Sequence, residues 1–493
     1  LACLESLTQQ SLNDFEVIVV DDGSTIDMSD LGLVKGIQLI KNRQNLGYLH
    51  SANKGASLAK GQFIVQLNND TIVSHGWLKA LLAPLQEDAS IGLAGSQMLS
   101  KDGLLQEAGG IIFADGSGYN YGRTDNPDND LYNFVRDCDY CSGASIALPA
   151  NVWNSVGGYD AFFTPAYYED TDLAMRVRQM GLRVVYTPFS KLIHIEGVSC
   201  GSDESDANSM KRFQKINRVK FVERWNQELT RYGSLDDNRE IHNHVAKTNR
   251  LGRILWVDAN TPTPDQDAGS IDTAQHLSRL KADGWDVTFA PWDGYRYEGK
   301  YTDNLRAIGI RVLCQGHAHT LAAIESLNID FDVITLSRAP VAITAHPVLK
   351  KLFPQAKIVF NTVDLHYLRY ERELELISSN NSNSKPKNQP VQKKDELAIM
   401  RLADATLVVS DMEKQLLETE LDQRDASRVA VIPSPRNVHP PTRTFEERVD
   451  VGFLGSYQHP PNIDAVDHFL SNIWPRFSAR MPGVRFIIAG SSI

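Results

Sequence analysis

Runs of apolar residues, each closed by a polar loop and followed by a segment of helical spacing, recur along most of the chain. The first rounds of this rhythm are FEVIVV from Phe15, IQLIKN, a helix across residues 51–59, and QFIVQL. Uninterrupted apolar runs bounded by helices predict strands buried on both faces, as in a parallel sheet. SIGLAG and ASIAL are further strand candidates, and residues 171–180 read as a helix that Gly181 stops before the strand RVVYTP. Leu1, Leu4 and Leu7 share one helical face, which predicts that the chain opens inside a helix, partway through a domain. From about Ser202 the chain is polar and helical through KRFQKINRVKFVERW, and it loses apolar periodicity over residues 234–250, which predicts a linker.

A second round of alternation opens at RILWVDAN and continues through WDVTFAP, IRVLCQ, FDVITLS, KIVFNT, ATLVVSD and VAVIPS. Seven strands alternating with helices predict a doubly wound domain. Its insertion SSNNSNSKPKNQPVQKK, rich in Ser, Asn, Pro and Lys, is expected to be a mobile loop. The Pro-rich HPPTRTFEER leads to a third beginning, with strands in VDVGFLGS and VRFIIAG around a helix over 463–477. One helix between two strands cannot bury its faces, so a truncated domain is expected there. The boundaries read from these patterns are 1–232 for the first domain, 233–250 for the linker, 251–440 for the second domain and 447–493 for the start of a third.

Composition narrows the function classes. With 42% apolar and 23% charged residues, the chain can bury sizeable cores, and 493 residues suggest about three domains. A net charge of −11 argues against a nucleic-acid partner, while leaving room for polyphosphate ligands neutralised by a metal ion. The five cysteines, Cys3, Cys138, Cys141, Cys200 and Cys314, are scattered, which fits a reducing compartment better than a disulfide framework. Cys138 and Cys141 lack the second ligand pair that a closed zinc site needs. There is no apolar run of the length of a transmembrane helix, and the opening residues do not read as a signal peptide. A G-x-G-x-x-G after a strand is missing too, which disfavours a nicotinamide dehydrogenase.

Four constellations stand where chemistry would be expected. Asp21-Asp22-Gly23-Ser24 and Asn68-Asn69-Asp70-Thr71 each follow a strand, and ligands in open α/β sheets bind at the carboxyl ends of strands. Asp70 could ligate Mg²⁺ or Mn²⁺ there, although both tetrapeptides also read as plain Asx turns. Glu169-Asp170-Thr171-Asp172 opens a helix whose dipole favours acids, and Asp170 could equally be a general base, with Glu169 and Asp172 tuning it. His194 ends the apolar segment LIHIEG, where it is either packed or a further metal ligand.

Taken in order, FEVIVVDDGST, NLGYLHSANKG, QFIVQLNNDT, CSGASIALPANVWNSVGGYD, YYEDTDLAMRVRQMGLRVVYTP and KLIHIEG resemble successive blocks of the family 2 inverting glycosyltransferases. That resemblance implies a GT-A fold in residues 1–230, with the family's first strand lying before Leu1. It implies that Asp21 and Asp22 contact the nucleotide, that Asn45, Gly47, Asn53, Asn68 and Asn69 line the donor side, and that Gly143 and Glu169 face the acceptor. Asp70 matches the last acid of the family's metal-binding D-x-D, whose first position is Asn68 here. Asp170 matches the catalytic base and His194 a histidine of the metal shell. Beyond residue 250 the chain resembles family 4 glycosyltransferases of the GT-B class, through DANTPTPDQDAGS, NTVDLHYLRYE and VGFLGSYQHPPNIDAV. It implies a Rossmann-like N-terminal domain and the start of a second one, with Gly269, Asp364 and His366 as site candidates or as turn and helix-start residues.

The expected activity is therefore transfer of a sugar from a nucleoside diphosphate sugar to a carbohydrate hydroxyl with inversion, assisted by Mg²⁺ or Mn²⁺. The resemblance implies surface polysaccharide assembly in the cytoplasm, with the acceptor a lipid-linked glycan, a protein or a free saccharide, and with association at the inner membrane face left open. A catalytically inactive nucleotide-sugar-binding module is the competing expectation. A nucleotidyltransferase would need a Gly- and Lys-rich start that is not seen.

Overall fold

The computed structural model describes residues 1–25, 28–195, 211–234, 251–379, 391–436, 440–457 and 460–490. Most of the expected linker, most of the low-complexity insertion, and Cys200 lie outside the described residues. The chain divides into two compact units whose main boundary falls between Asn249 and Arg250.

The first unit contains strands β1 (Val17–Asp21), β2 (Ile37–Lys41), β3 (Phe63–Leu67), β4 (Thr71–Val73), β5 (Ile91–Leu99), β6 (Leu105–Glu107), β7 (Gly110–Ile112), β8 (Gly118–Asn120), β9 (Arg136–Asp137), β10 (Ser145–Pro149) and β11 (Arg183–His194). Its described helices are α1 (Ala2–Leu7), α2 (Tyr48–Leu58), α3 (Trp77–Glu87), α4 (Ala150–Val156), α5 (Glu169–Gln179) and α6 (Arg212–Leu229). The larger sheet has the order β3-β10-β5-β11-β4, with β6 on β5 and β9 on β11, while β1 and β2 form a parallel pair of their own. The expectation of a parallel sheet needs correction here. β10 runs antiparallel to both β3 and β5, and β11 runs parallel to β5 but antiparallel to β4. An apolar run records burial on two faces and carries no sign of direction, which the intervening chain sets.

Helix α3 presents Leu78, Leu81, Leu82 and Leu85 at i, i+3, i+4 and i+7, the stripe that a surface helix turns toward a core. Each such leucine stabilises the packing by roughly 1.5–3 kcal/mol. Trp77 is fully buried, and its indole N–H is shared between Ser96 Oγ at 3.1 Å and Ser145 Oγ at 3.0 Å. Ser190 Oγ lies 2.8 Å from Ser96 Oγ, so one hydroxyl cluster ties β5, β10 and β11 to α3. In α5, Glu169, Asp170 and Asp172 occupy the first turn and Arg176 and Arg178 the last, complementing the helix dipole.

The second unit holds a seven-stranded sheet built from β12 (Gly252–Asp258), β13 (Trp285–Pro291), β14 (Arg311–Val312), β15 (Val333–Ser337), β16 (Lys357–Asn361), β17 (Ala405–Val408) and β18 (Val429–Val431). The strand order is β14-β13-β12-β15-β16-β17-β18, with parallel pairing throughout β13 to β18, and helices alternate with the strands. A separate parallel pair, β19 (Val451–Leu454) and β20 (Phe486–Ala489), brackets a helical stretch from Pro460 to Arg480. Among the described residues, no helix is long and apolar enough to cross a membrane.

Candidate active site

The turn after β3 takes its place from strand register. Leu67 lies opposite Ser145, so the next amide, that of Asn68, donates to the Ala144 carbonyl at 3.0 Å. On the other side of the turn Thr71 pairs with His194, and the Ile195 amide donates to the Asp70 carbonyl at 2.8 Å. His194 therefore stands beside Asp70, with Nε2 3.4 Å from Asp70 Oδ1 but off the line of a hydrogen bond. Its Nδ1 lies 2.9 Å from Gln106 Oε1, an atom that can only accept, so Nδ1 is the donor there and Nε2 is the ring nitrogen turned to Asp70.

Asn68 Oδ1 and Asp70 Oδ1 are both buried without a hydrogen-bond partner among the described residues. Leaving such atoms unpaired costs about 1–3 kcal/mol each, more for a charged group, and a cation would repay it. Two hard oxygens with an imidazole nitrogen make a donor set suited to Mg²⁺ or Mn²⁺. Among the described residues, no three His, Cys, Asp or Glu side chains group as a metal shell, and Asn68 is a neutral amide. Asn69 is exposed at the turn and does not share this burial.

Asp170 enters from the start of α5. Its Oδ2 accepts the Gly143 amide at 3.0 Å, and its Oδ1 accepts the Thr171 amide at 2.7 Å. Burial raises its carboxyl above the usual aspartate range, with the Gly143 and Thr171 hydrogen bonds opposing the shift. Burial, reinforced by the charge of Asp170, pushes Glu169 up to about 8. The Asn68–Asp70 turn and Asp170 are thus joined across two consecutive residues, Ala144 through its carbonyl and Gly143 through its amide. The Tyr48 hydroxyl, which donates to the Gly143 carbonyl at 3.4 Å, is held well above its usual value by burial and by the charges of Glu169, Asp170 and Asp70. A Cβ on Gly143 would lie 2.9 Å from the Tyr159 hydroxyl and in ordinary contact with Asp170 Cβ at 3.6 Å, so a larger residue there requires the Tyr159 hydroxyl to shift.

The donor-side candidates fall in a braced loop. Asp22 accepts from Asn42 Nδ2 at 2.8 Å and from the amides of Leu46 and Gly47 at 2.9 and 2.8 Å. Burial opposes its ionisation, but these hydrogen bonds prevail and hold its carboxyl below the usual value. Asp21 accepts the Ser24 amide at 3.0 Å, and the Ser24 hydroxyl, with that amide, likewise lowers it. Asn45 Oδ1 receives the Gly47 amide at 3.0 Å, and Gly47, with φ +89°, precedes α2 in a conformation that few other residues adopt. Asn53 commits both ends of its amide to the Tyr159 backbone, at 2.7 and 2.9 Å, so it fixes the position of Tyr159. In the second unit, Gly269 approaches the Arg338 guanidinium, Asp364 Oδ2 accepts from Arg369 at 2.8 Å, and His366 Nδ1 lies 3.1 Å from the Asp364 carbonyl oxygen.

Several residues of the site were given no role by the sequence. Tyr167 and Tyr168 adopt left-handed φ of +72° and +70° just before α5, a strain of order 1–3 kcal/mol each. The buried Asn217 of α6 offers Nδ2 to the carbonyls of Phe163, Ala166 and Tyr167 at 2.7, 2.9 and 3.0 Å and so holds that turn. Gln106 and Glu107 on β6 lie outside every family-like block, and Tyr48 and Tyr159 lie inside such blocks without a role assigned to them.

The first unit thus brings Asp70, beside His194 at the end of a strand, and Asp170, in the first turn of α5, to the two sides of the Gly143-Ala144 peptide. Residues 1–146 match the family Glycosyl transferase family 2. The O-antigen biosynthesis protein RfbC of Myxococcus xanthus is 29% identical over 207 residues, covering 40% of this chain and 16% of RfbC. The uncharacterized protein y4gI of Sinorhizobium fredii is 24% identical over 238 residues, covering 45% of this chain and 26% of its own. Among solved structures, GalNAc-T7 with UDP, GalNAc and Mn²⁺ is similar at 19% identity and TM-score 0.38, covering 46% of each chain. The chain thus spans between a sixth and about a quarter of the length of the two curated relatives.

Proposed function

We propose that residues 1–232 form an inverting glycosyltransferase that moves a sugar from a nucleoside diphosphate sugar to a carbohydrate hydroxyl. The observation that carries this reading is the junction at Gly143-Ala144, which sets Asp170 beside the Asn68–Asp70 turn. Asn68, Asp70 and His194 would hold Mg²⁺ or Mn²⁺, and their unpaired buried oxygens support that assignment. When bound, the ion would neutralise charge on the departing diphosphate. Asp170 takes the proton of the acceptor hydroxyl as the new bond to the anomeric carbon forms and the bond to the diphosphate oxygen breaks on the opposite face. A base raised by burial accepts that proton more readily than an ordinary aspartate. Asp21, Asp22, Asn45 and Gly47 would shape the nucleotide side, while Gly143 and Glu169 would border the acceptor. RfbC, named for O-antigen biosynthesis, supports a role in surface polysaccharide assembly.

Residues 251–440 and 447–493 are proposed as a family 4-like GT-B N-terminal domain and the opening of its partner domain, supported by the parallel doubly wound sheet. A cytoplasmic setting, with contact at the inner membrane face for a lipid-linked acceptor, belongs to the same proposal.

The neutral amide of Asn68 favours a second reading, a binding module without turnover, because one fewer carboxylate weakens attraction for a divalent ion. Incubating the full chain with a panel of nucleotide sugars and Mn²⁺ separates the two. Release of nucleoside diphosphate marks the enzyme, and saturable binding without release marks the module. Asp170→Asn should lower transfer about 10²–10⁴-fold while donor affinity stays within about twofold. Wild-type transfer by that variant would remove Asp170 from the mechanism.

A further inference from the structure

Two neighbouring amides of one loop are held by two different carboxyl groups. Gly143 N–H points to Asp170, and Ser142 N–H points to Glu107 Oε1 at 2.9 Å. Glu107 is 1% exposed, and its second oxygen is buried without a hydrogen-bond partner among the described residues. A carboxyl group is a costly choice for such a place unless it does something an apolar side chain cannot. The backbone holds it firmly, because β6 pairs with β5, Glu107 opposite Met98, and β5 pairs with β10, which begins just after the loop.

We propose that Glu107 is a positioning residue for sugar transfer, acting through the Ser142–Gly143 peptide on Asp170. The inference rests on Asp170 being the base. With the Ser142 amide held by Glu107, the residue that leads into the Gly143 amide is anchored, which limits the turning of that amide away from Asp170 and keeps Oδ2 engaged. The ionisable groups that face Glu107 are Asp170, Arg136, Arg123, Tyr140 and Cys141. Burial raises its carboxyl to about 8, Asp170 adds to the shift, and the Ser142 hydrogen bond and the two arginines oppose it. Near neutral pH it therefore keeps its proton and holds Ser142 without setting a second negative charge beside the base.

The test compares Glu107→Ala, Glu107→Gln and Glu107→Asp in the full chain, each with kcat and donor KM measured for transfer, against Asp170→Asn alone and combined with Glu107→Ala. Loss of the loop anchor should lower kcat by up to about 10²-fold with donor KM within about twofold. Glutamine, whose amide oxygen still receives the Ser142 amide without charge, should stay within about threefold of wild type. Aspartate, one methylene short, should fall with alanine, and it carries the comparison if the alanine variant does not fold. In the Asp170→Asn background, Glu107→Ala should cost nothing further, because the two act as one unit. Unchanged kcat in both Ala and Asp variants, equal losses in Gln and Ala, or losses that multiply with Asp170→Asn would each overturn the role. Full activity of Asp170→Asn would instead sink the base assignment on which it rests, as would a wild-type chain without turnover.

Discussion

Glu169 illustrates how a buried acid writes pH dependence into the fold. Its folded value of about 8 lies above the ordinary 4.5, so the folded chain binds this proton more tightly than the unfolded chain does. The contribution is complete below about pH 4.5 and is lost as pH rises through about 8, giving a melting temperature that declines across that window. Glu169→Gln should flatten the decline, and thermal melts between these limits that keep the wild-type slope would contradict the burial argument. Glu169 and Asp170 titrate as a linked pair, so a transfer–pH profile reports both. If Asp170 is the base proposed above, transfer should fall on the acid side at a higher pH than an ordinary aspartate allows, since a base works only without its proton. Asp70, Asp170 and His194 stood out in the sequence because they end strands or begin a helix. Glu107 and Gln106 did not, because β6 is three residues long and their partners, Ser142 and His194, lie 35 and 88 positions away.

At the level of elements, α6 is a clamp on the turn that delivers α5. Asn217→Ala would leave three backbone carbonyls without their donor, and a loss of about 1–3 kcal/mol in denaturant unfolding is expected, together with a fall in kcat as Asp170 drifts. A variant as stable and as active as wild type would show that the left-handed tyrosines hold themselves. Trp77→Phe removes the only indole donor to the hydroxyl cluster of Ser96, Ser145 and Ser190, and a similar loss of stability should follow. Strand positions were legible from apolar runs, from FEVIVV and QFIVQL through the second unit. Strand direction in the first unit was not, because pairing of β10 between β3 and β5 depends on contacts more than 45 residues apart, which no local pattern encodes.

On the scale of the whole molecule, each unit has its own sheet and its own buried apolar set, Leu81 and Ala147 in one, Leu255 and Phe360 in the other. Calorimetry of the full chain should therefore give an enthalpy larger than the van't Hoff value from a single transition, and equality of the two would mean that the units melt as one. The alternation of strand and helix announced the second unit's parallel sheet because such sheets need a crossover at each step, which the sequence displays directly. The tie at Gly143-Ala144 has a thermodynamic corollary. A peptide bonded to both Asp170 and the Asn68–Asp70 turn would make a ligand held by one felt by the other, and linkage requires the effect to be mutual. Under the proposed function, whatever factor a nucleotide sugar adds to saccharide affinity, the saccharide must return to the nucleotide sugar.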